Sequence, residues 1–281
     1  MKIATLLTCH NRKKQTLACL EALYQNRLPR ESTLDVFLVD DGSTDGTEQA
    51  VRDLYPQVNV ITGDGKLYWN GGMRVAFAAA LEKGFDYYLW LNDDTLLKPE
   101  AIHEMLETAP KDMGIIVGSC QDPVTGTWTY GGRSTPHGGK SLTGTPVIPS
   151  NAPQRCQQMN GNVVLVPHTV VERIGILSEK YTHAIGDFDY GFRALDAGIS
   201  LIIPPHYQAT CSANPLSEWC NPATPLRKRL ALFIDPKGIN FPEFMVFCYR
   251  HFGIKCILTG SKVLIRLFLP RLWLKKAGNR A

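Results

Sequence analysis

Tyr87-Tyr88-Leu89-Trp90-Leu91-Asn92-Asp93-Asp94-Thr95 is the stretch on which the reading of this chain turns. Five consecutive apolar residues read as a strand buried on both faces. They run into an amide and two carboxylates. Carboxylates at the end of a core strand are costly to desolvate unless something cationic joins them. Thr95, Lys98 and Pro99 also fit a polar loop that caps a following helix. A hard divalent cation takes oxygen ligands, and Mg²⁺ commonly uses one or two carboxylates plus substrate phosphates. Asp94 is then the preferred ligand, with Asn92 as a carbonyl or water-mediated partner.

Outward from this strand, the first half alternates strand and helix. Residues 3–7, 36–39, 58–61, 87–91 and 115–117 read as strands. Leu17, Leu20, Ala22 and Leu23 mark a helix over 14–24. Asp45-Gly46-Thr47-Glu48 carries a capping-box pattern at the start of a second helix. An Ala-rich helix spans 72–83 and stops at Gly84. A fourth spans 99–106. This repeat implies a mostly parallel sheet with helices on both faces, and ligands of such sheets bind beyond the carboxyl ends of the strands.

That rule selects Thr8-Cys9-His10-Asn11-Arg12, Asp40-Asp41-Gly42-Ser43 and Asn92-Asp93-Asp94. The second of these is either a turn or a pair of carboxylates that accept from a nucleobase or ribose. Asn70-Gly71-Gly72 is either a permissive turn or a helix N-terminus facing a phosphate, with Arg74 nearby. No GxGxxG follows the first strand, which disfavours a Rossmann dehydrogenase.

Residues 121–155, rich in Gly, Pro, Ser and Thr, read as a hairpin and a long loop, of a length that is either functional or disordered. Strands at 157–159 and 163–166 flank Asn160-Gly161-Asn162, and a short helix spans 168–174. Gly186-Asp187-Phe188-Asp189 opens a helix that runs to 197, and 199–203 is the last strand. Acids suit a helix first turn. Asp187, if it faces the sheet end, is also placed to act as a general base.

The chain of 281 residues is 44% hydrophobic and 20% charged, an ordinary globular composition. Its net charge of +4 hides an asymmetry: residues 226–281 hold 12 Lys/Arg against 2 Asp/Glu. We expect a main domain over 1–225, with a nucleotide-binding half (1–120) and an acceptor half (121–225), and a basic amphipathic helical tail over 226–281. Lys255, Lys262 and Arg266 cluster on one side of an apolar helix over 254–269. That helix is too interrupted to span a bilayer. Trp273, Lys275 and Lys276 suit a membrane interface. The tail reads as a membrane-surface element, the other reading being an appendage packed on the body that forms a homodimer contact. Nucleic acid is not expected as a partner. Eight cysteines without CxxC spacing and no visible signal peptide point to reduced thiols. The expected location is cytoplasmic, or peripheral on the inner face of the cell membrane.

Taken in order, the motifs ending in Gly161 and Gly186-Asp187-Phe188-Asp189-Tyr190-Gly191-Phe192-Arg193 resemble the family-two glycosyltransferases of GT-A fold, in particular their rhamnosyltransferase-like branch. The resemblance implies an inverting transfer of a sugar from a UDP-, dTDP- or GDP-sugar to a hydroxyl of a glycan or lipid-linked acceptor, in cell-surface polysaccharide synthesis. It implies that Thr8, Asn11, Arg12, Asp40, Asp41, Ser43, Asn70, Gly71 and Asp93 hold the nucleotide. Asp94 and Asn92 would hold Mg²⁺ or Mn²⁺ in the family's D-x-D element, where Asn92 stands in the first acidic position. Asp187 would be the catalytic base, and Trp69, Asn160, Gly161 and Asp189 would face the sugars. The family's third metal ligand, a His after the last strand, falls on Cys211, with His206 five residues earlier. The alternatives are a non-catalytic nucleotide-sugar-binding protein of the same fold and, less favoured, a nucleotidyltransferase.

Overall fold

The computed structural model describes residues 1–109, 114–135, 138–215 and 217–272. Trp273, Lys275 and Lys276 lie outside the described residues. The chain divides into two units, one of Met1–Glu179 with Gly186–Ala213, the other of Lys180–Ile185 with the chain from Asn214 onward.

The first unit opens with β1 (Lys2–Cys9), α1 (Lys13–Tyr24), β2 (Thr33–Asp40), α2 (Thr47–Leu54), β3 (Asn59–Thr62), α3 (Tyr68–Leu81) and β4 (Tyr87–Leu91). It continues through β5 (Leu96–Leu97), α4 (Ala101–Thr108), β6 (Gly114–Val117), β7 (Cys120–Gln121), β8 (Trp128–Tyr130), β9 (Arg133–Ser134), β10 (Thr145–Pro146) and β11 (Gln154–Cys156). It closes with β12 (Val163–Pro167), α5 (His168–Ile174), α6 (Gly186–Asp196), β13 (Ser200–Ile203) and β14 (Ala209–Thr210).

Eight strands form the main sheet in the order β11-β13-β6-β12-β4-β1-β2-β3. β1 pairs in parallel with both β2 and β4, so the ends of all three meet at one edge. β12 runs antiparallel between β4 and β6. Its apolar run Val163–Val166 carried no sign of direction. Reversed, it brings Asn160-Gly161-Asn162 to the edge where β1, β2 and β4 end. A small sheet, β5-β14-β7-β8, stands beside it.

Strand residues alternate between faces, and the core splits accordingly. Tyr88 and Trp90 of β4 join Phe77 of α3 and Tyr190 of α6. Leu89 and Leu91 join Leu20 of α1 and Ile102 of α4. β4 is covered on both sides, which is why it reads as an unbroken apolar run. Trp90 is fully buried against Phe77, Trp69 and Tyr190. All eight cysteines are unpaired and buried.

Three local expectations are corrected. α3 starts at Tyr68, four residues before the expected position. Asn70, Gly71 and Gly72 therefore lie inside its first turns. Counted from the cap residue Leu67, the unclosed N–H groups are those of residues 67–70, so Gly71 does not present one to a phosphate. Gly72 is needed for close packing instead: a Cβ there would sit 2.2 Å from Thr8 Oγ1. At α2 the cap is Gly46 (φ 80°), not Asp45, and Glu48 bonds Arg52 and Thr62 rather than closing a box. The expected strand over 157–159 is displaced to Gln154–Cys156, which pairs with β13.

Among its described residues the second unit holds two 3₁₀ turns (Glu218–Cys220 and Gly253–Lys255) and three helices, α7 (Leu226–Ile234), α8 (Phe241–Phe252) and α9 (Cys256–Phe268). α7 and α8 fall within the helical tail expected over 226–281, where only the helix over 254–269 has expected bounds. Trp219, Cys220, Phe233 and Leu267 form its core. The segment Lys180–Ile185 belongs here through Tyr181 on Phe247 and through Thr182, whose N–H and hydroxyl donate to Glu243.

Trp90→Ala should lower unfolding free energy in urea by about 3–5 kcal/mol. The lower end is expected, because the indole N–H is buried without a partner among the described residues. A loss under about 1 kcal/mol would refute this packing.

Candidate active site

Asn11 and Arg12 follow β1. Asn11 adopts the left-handed conformation (φ 52°), which Asn tolerates. Its N–H donates to Ser43 Oγ (2.8 Å), and its Oδ1 accepts from Thr44 N–H (2.7 Å). The loops after β1 and β2 are thereby tied together. Arg12 extends to the end of β4. Its Nη1 lies 3.1 Å from Asp93 Oδ1 and its Nη2 2.6 Å from Asp94 Oδ2. The cation demanded by two carboxylates at a strand end is thus, within the chain, this guanidinium. Its planar fork suits two acceptors at once.

Asp93 is 5% exposed and its Oδ2 has no partner among the described residues. Burial pushes its carboxyl up to about 7, with Arg12 opposing and Asp94 reinforcing the rise. Asp94 is more open, and its Oδ1 faces the Cys211 thiol at 3.8 Å. β14 and β5 are hydrogen-bonded neighbours in the small sheet, which brings residue 211 back to residue 94. Burial and the adjacent Asp94 carboxylate push that thiol up to about 11, so it stays protonated at neutral pH. His206 does not take this place: its Nδ1 pairs with Glu104 at 2.8 Å.

Asp40 is 1% exposed. Its Oδ1 accepts from Ser43 N–H at 2.8 Å, while Oδ2 is buried without a partner among the described residues. Asp41 uses both oxygens on backbone, accepting from Gly65 N–H (2.8 Å) and Tyr68 N–H (2.9 Å). Tyr68 has φ 53°, a strained value for a bulky residue. Asp41 thus pins a strained turn from which α3 departs. His10 closes the same corner, its Nδ1 2.6 Å from the Asp41 carbonyl oxygen.

The next two residues of α3 carry the connection onward. Trp69 Nε1 donates to Asn92 Oδ1 at 2.7 Å, and Asn70 Nδ2 to the Ser178 carbonyl at 2.8 Å. Gly161 lies so close to the Trp69 ring that a Cβ would stand 2.5 Å from it and 3.3 Å from Asp187 Cβ. The Gly161 N–H donates to Asp187 Oδ2 at 2.9 Å, and Phe188 N–H donates to Oδ1 at 2.8 Å. Burial pushes this carboxyl up to about 6, against the pull of those two donors. Asn92, Trp69, Gly161 and Asp187 form one connected line.

The residues singled out in the sequence are mostly gathered here. Thr8 is buried against Gly72. Asn160 is half-buried, its N–H donating to the Gly131 carbonyl at 3.2 Å. Asp189 is the exception: it is fully buried and bonded to Arg193 Nε at 2.9 Å. Two residues apart on a helix is a rotation of about 200°, so Asp187 and Asp189 cannot share a face, and Asp189 is not a sugar contact. The sequence reading missed Asn162, which is buried; its carbonyl accepts from Asn92 N–H and its Nδ2 reaches the Cys211 thiol. Its adjacency to Gly161 was the available signal.

A divalent cation has a partial ligand set here. Asp94 offers a carboxylate and Asn92 a carbonyl, though each is already engaged, by Arg12 and Trp69. Among the described residues no group of three His, Cys, Asp or Glu side chains could hold a metal alone. The unpartnered oxygens of Asp93 and Asp40 leave acceptor capacity at this end of the sheet. The set fits an ion held largely by a substrate's phosphates.

Residues 5–171 match the sequence profile described as Glycosyl transferase family 2. A curated relative, "N-acetylglucosaminyl-diphospho-decaprenol L-rhamnosyltransferase" of Mycobacterium tuberculosis, is 26% identical over 204 residues. The match covers 63% of this chain and 66% of that protein, just under two thirds of its length. Among solved structures, a mannosyltransferase from Pyrobaculum calidifontis in complex with GDP-Man and Mn²⁺ superposes with a TM-score of 0.57 at 15% identity, over 99% of this chain and 79% of that one. S. aureus TarS in complex with UDP-GlcNAc gives 0.56 at 14% identity, over 90% and 73%. These likenesses show the fold, which is GT-A.

Two outcomes follow from the geometry. Arg12→Met should cost about 1–3 kcal/mol in urea unfolding. That is less than breaking a fully buried pair, because the Arg12 side chain is 41% exposed; an unchanged midpoint would contradict the fork. Gly161→Ala should cost about 1–3 kcal/mol by overpacking against Trp69, and its indole fluorescence should shift. A variant with native stability and spectrum would show that the loop does not approach Trp69 this closely.

Proposed function

The chain belongs to glycosyl transferase family 2, and from that premise we propose that it transfers a sugar from a nucleoside-diphosphate donor to a hydroxyl of a lipid-linked or glycan acceptor, with inversion. The observation that carries this reading is the line from Asn92 through Trp69 and Gly161 to Asp187. It joins a carboxylate cluster suited to a phosphorylated donor to a half-buried carboxylate held by two backbone N–H groups. A lipid-linked acceptor and a deoxyhexose are favoured by the name of the mycobacterial relative.

In this reading Asp187 removes the proton from the acceptor hydroxyl. The hydroxyl oxygen attacks the anomeric carbon as the bond to the diphosphate breaks on the opposite side. A carboxyl shifted to about 6 is ionised at neutral pH yet more basic than an ordinary aspartate. Both its oxygens accept one N–H, so the side chain is fixed while a second lone pair on each remains for the hydroxyl. Asp40, Ser43 and Asn11 supply the nucleoside end of the site, with Asp41 holding the backbone beside them. Thr8 and Asn70, both buried, and Gly71 back this end of the site from β1 and α3. Arg12 contributes positive charge beside Asp93 and Asp94. Mg²⁺ or Mn²⁺, when bound, would be held by Asp94 and Asn92 together with the diphosphate and would neutralise charge on the leaving group.

Asp187→Asn should lower kcat by about 10²- to 10⁴-fold while the donor still raises the melting temperature. Full turnover in that variant would sink the assignment. Protonation removes the base, so kcat/KM should fall tenfold per unit below about pH 6 and level off above it. A profile flat from pH 5 to 8 would contradict Asp187 as the base. A thermal-shift panel of UDP-, dTDP- and GDP-sugars with and without Mn²⁺ identifies donor and metal together, since a ligand of the native state stabilises it. No shift with any of them would overturn donor binding.

A further inference from the structure

Thirteen of the nineteen exposed large apolar side chains among the described residues lie within 226–272. Helix α9 shows why they are not a thin core left uncovered. It carries two separate apolar stripes. Cys256, Gly260 and Leu267 are buried within its own unit. Gly260 lies so close to Met245 of α8 that a Cβ would stand 2.8 Å from its sulfur. Turning about the axis at 100° per residue, the next sector carries Ile257, Leu264 and Phe268, then Ser261, whose hydroxyl is spent on the Ile257 carbonyl, then Ile265 and Leu258. The five apolar residues are 40–66% exposed. Lys262 follows on the far flank, and beyond it Arg266 stacks on the Trp219 ring. Leu269 and Leu272, 54% and 57% exposed, prolong the apolar sector past the helix end.

An apolar face about 120° wide, edged by cations, is the pattern of a helix that lies in the interface of a bilayer. No described helix is long and apolar enough to cross one. Charge selects the lipid. The sequence from 226 to 272 holds nine Lys/Arg and two Asp/Glu. At the end of the apolar sector, Arg229 and Arg271 line a cavity of about 360 Å³ with Phe268, Leu269 and Leu272. Arg229 is 9% exposed; its Nη1 donates to the Leu267 carbonyl, and its Nε has no partner among the described residues. Two arginines lining one cavity with apolar side chains place positive charge at an apolar boundary, which suits a lipid phosphate.

We infer that the exposed face of α9, with Leu269, Leu272 and the Arg229–Arg271 cavity, docks on the surface of an anionic phospholipid bilayer. A transferase acting on a lipid-linked acceptor works where that acceptor resides, and only for this purpose does the inference rest on the proposed function. Binding needs no turnover, so the two fail separately.

The test is co-sedimentation of the full chain with phosphatidylcholine vesicles with and without phosphatidylglycerol. Binding is expected with the anionic vesicles and should weaken as salt rises. Ile257→Ser, Leu258→Ser and Phe268→Ser together should reduce it at least tenfold, and Lys262→Glu by about fivefold or more. Thermal melts should match the parent chain, since these side chains are exposed. Equal partition to both vesicle types, or wild-type binding by the triple variant, overturns the inference. So does a dimer in sedimentation equilibrium that the triple variant dissociates, without vesicle binding: the face would then be a contact between two copies.

Discussion

The fork of Arg12 across Asp93 and Asp94 is the interaction on which the site depends. β4 is covered by helices on both faces, so its last residues deliver carboxylates to a place poor in water. Removing such a group from water costs several kcal/mol without compensation. Arg12 supplies compensation from the loop after β1, the strand hydrogen-bonded beside β4. Because the guanidinium serves two carboxylates and remains partly open, the chain keeps both in place while leaving Asp93 Oδ2 unsatisfied. The sheet edge thereby retains acceptor capacity that donors or a cation would satisfy.

A second constraint is the start of α3. Asp41 spends its carboxylate on the backbone of Gly65 and Tyr68, and Tyr68 is held in a strained conformation. The departure of α3 then aims Trp69 at Asn92 and Asn70 at Ser178. Trp69 lies on Gly161, whose N–H orients Asp187. Residues far apart in sequence become one line because backbone N–H groups fix the carboxylates of Asp41 and Asp187 and the Trp69 indole N–H fixes Asn92. Rigid placement of this kind is what positioned catalysis requires.

Much of this was legible in the sequence, for identifiable reasons. The strand 87–91 was plain because burial on both faces removes every polar residue from it. Its carboxyl end was plain because Asn92-Asp93-Asp94 breaks that run abruptly. The direction of β12 was not legible, since Val163–Val166 would look the same in either sense. The start of α3 was misplaced because Asn70-Gly71-Gly72 has turn composition, whereas the glycine at 72 answers a close approach to Thr8. Asp189 looked like a partner of Asp187 by proximity in sequence, and helical rotation separates them. The bounds of α7 and α8 within the expected helical tail were not legible, because their apolar residues are divided between a small core and an exposed surface, which blurs the period.

Alone, the sequence determined the alternation of elements, the sheet edge that bears the carboxylates, and the family to which the order of motifs belongs. Those features depend on local pattern, and local pattern is written along the chain. Only the tertiary structure decided that Arg12 is the cation of the carboxylate pair, that Cys211 rather than His206 stands beside Asp94, and that Asp41 holds backbone. It alone decided that α9 has one apolar stripe inside and another outside. Each of these is a pairing between residues distant in sequence, and such pairings are chosen by which groups the packed core leaves unsatisfied at its edge.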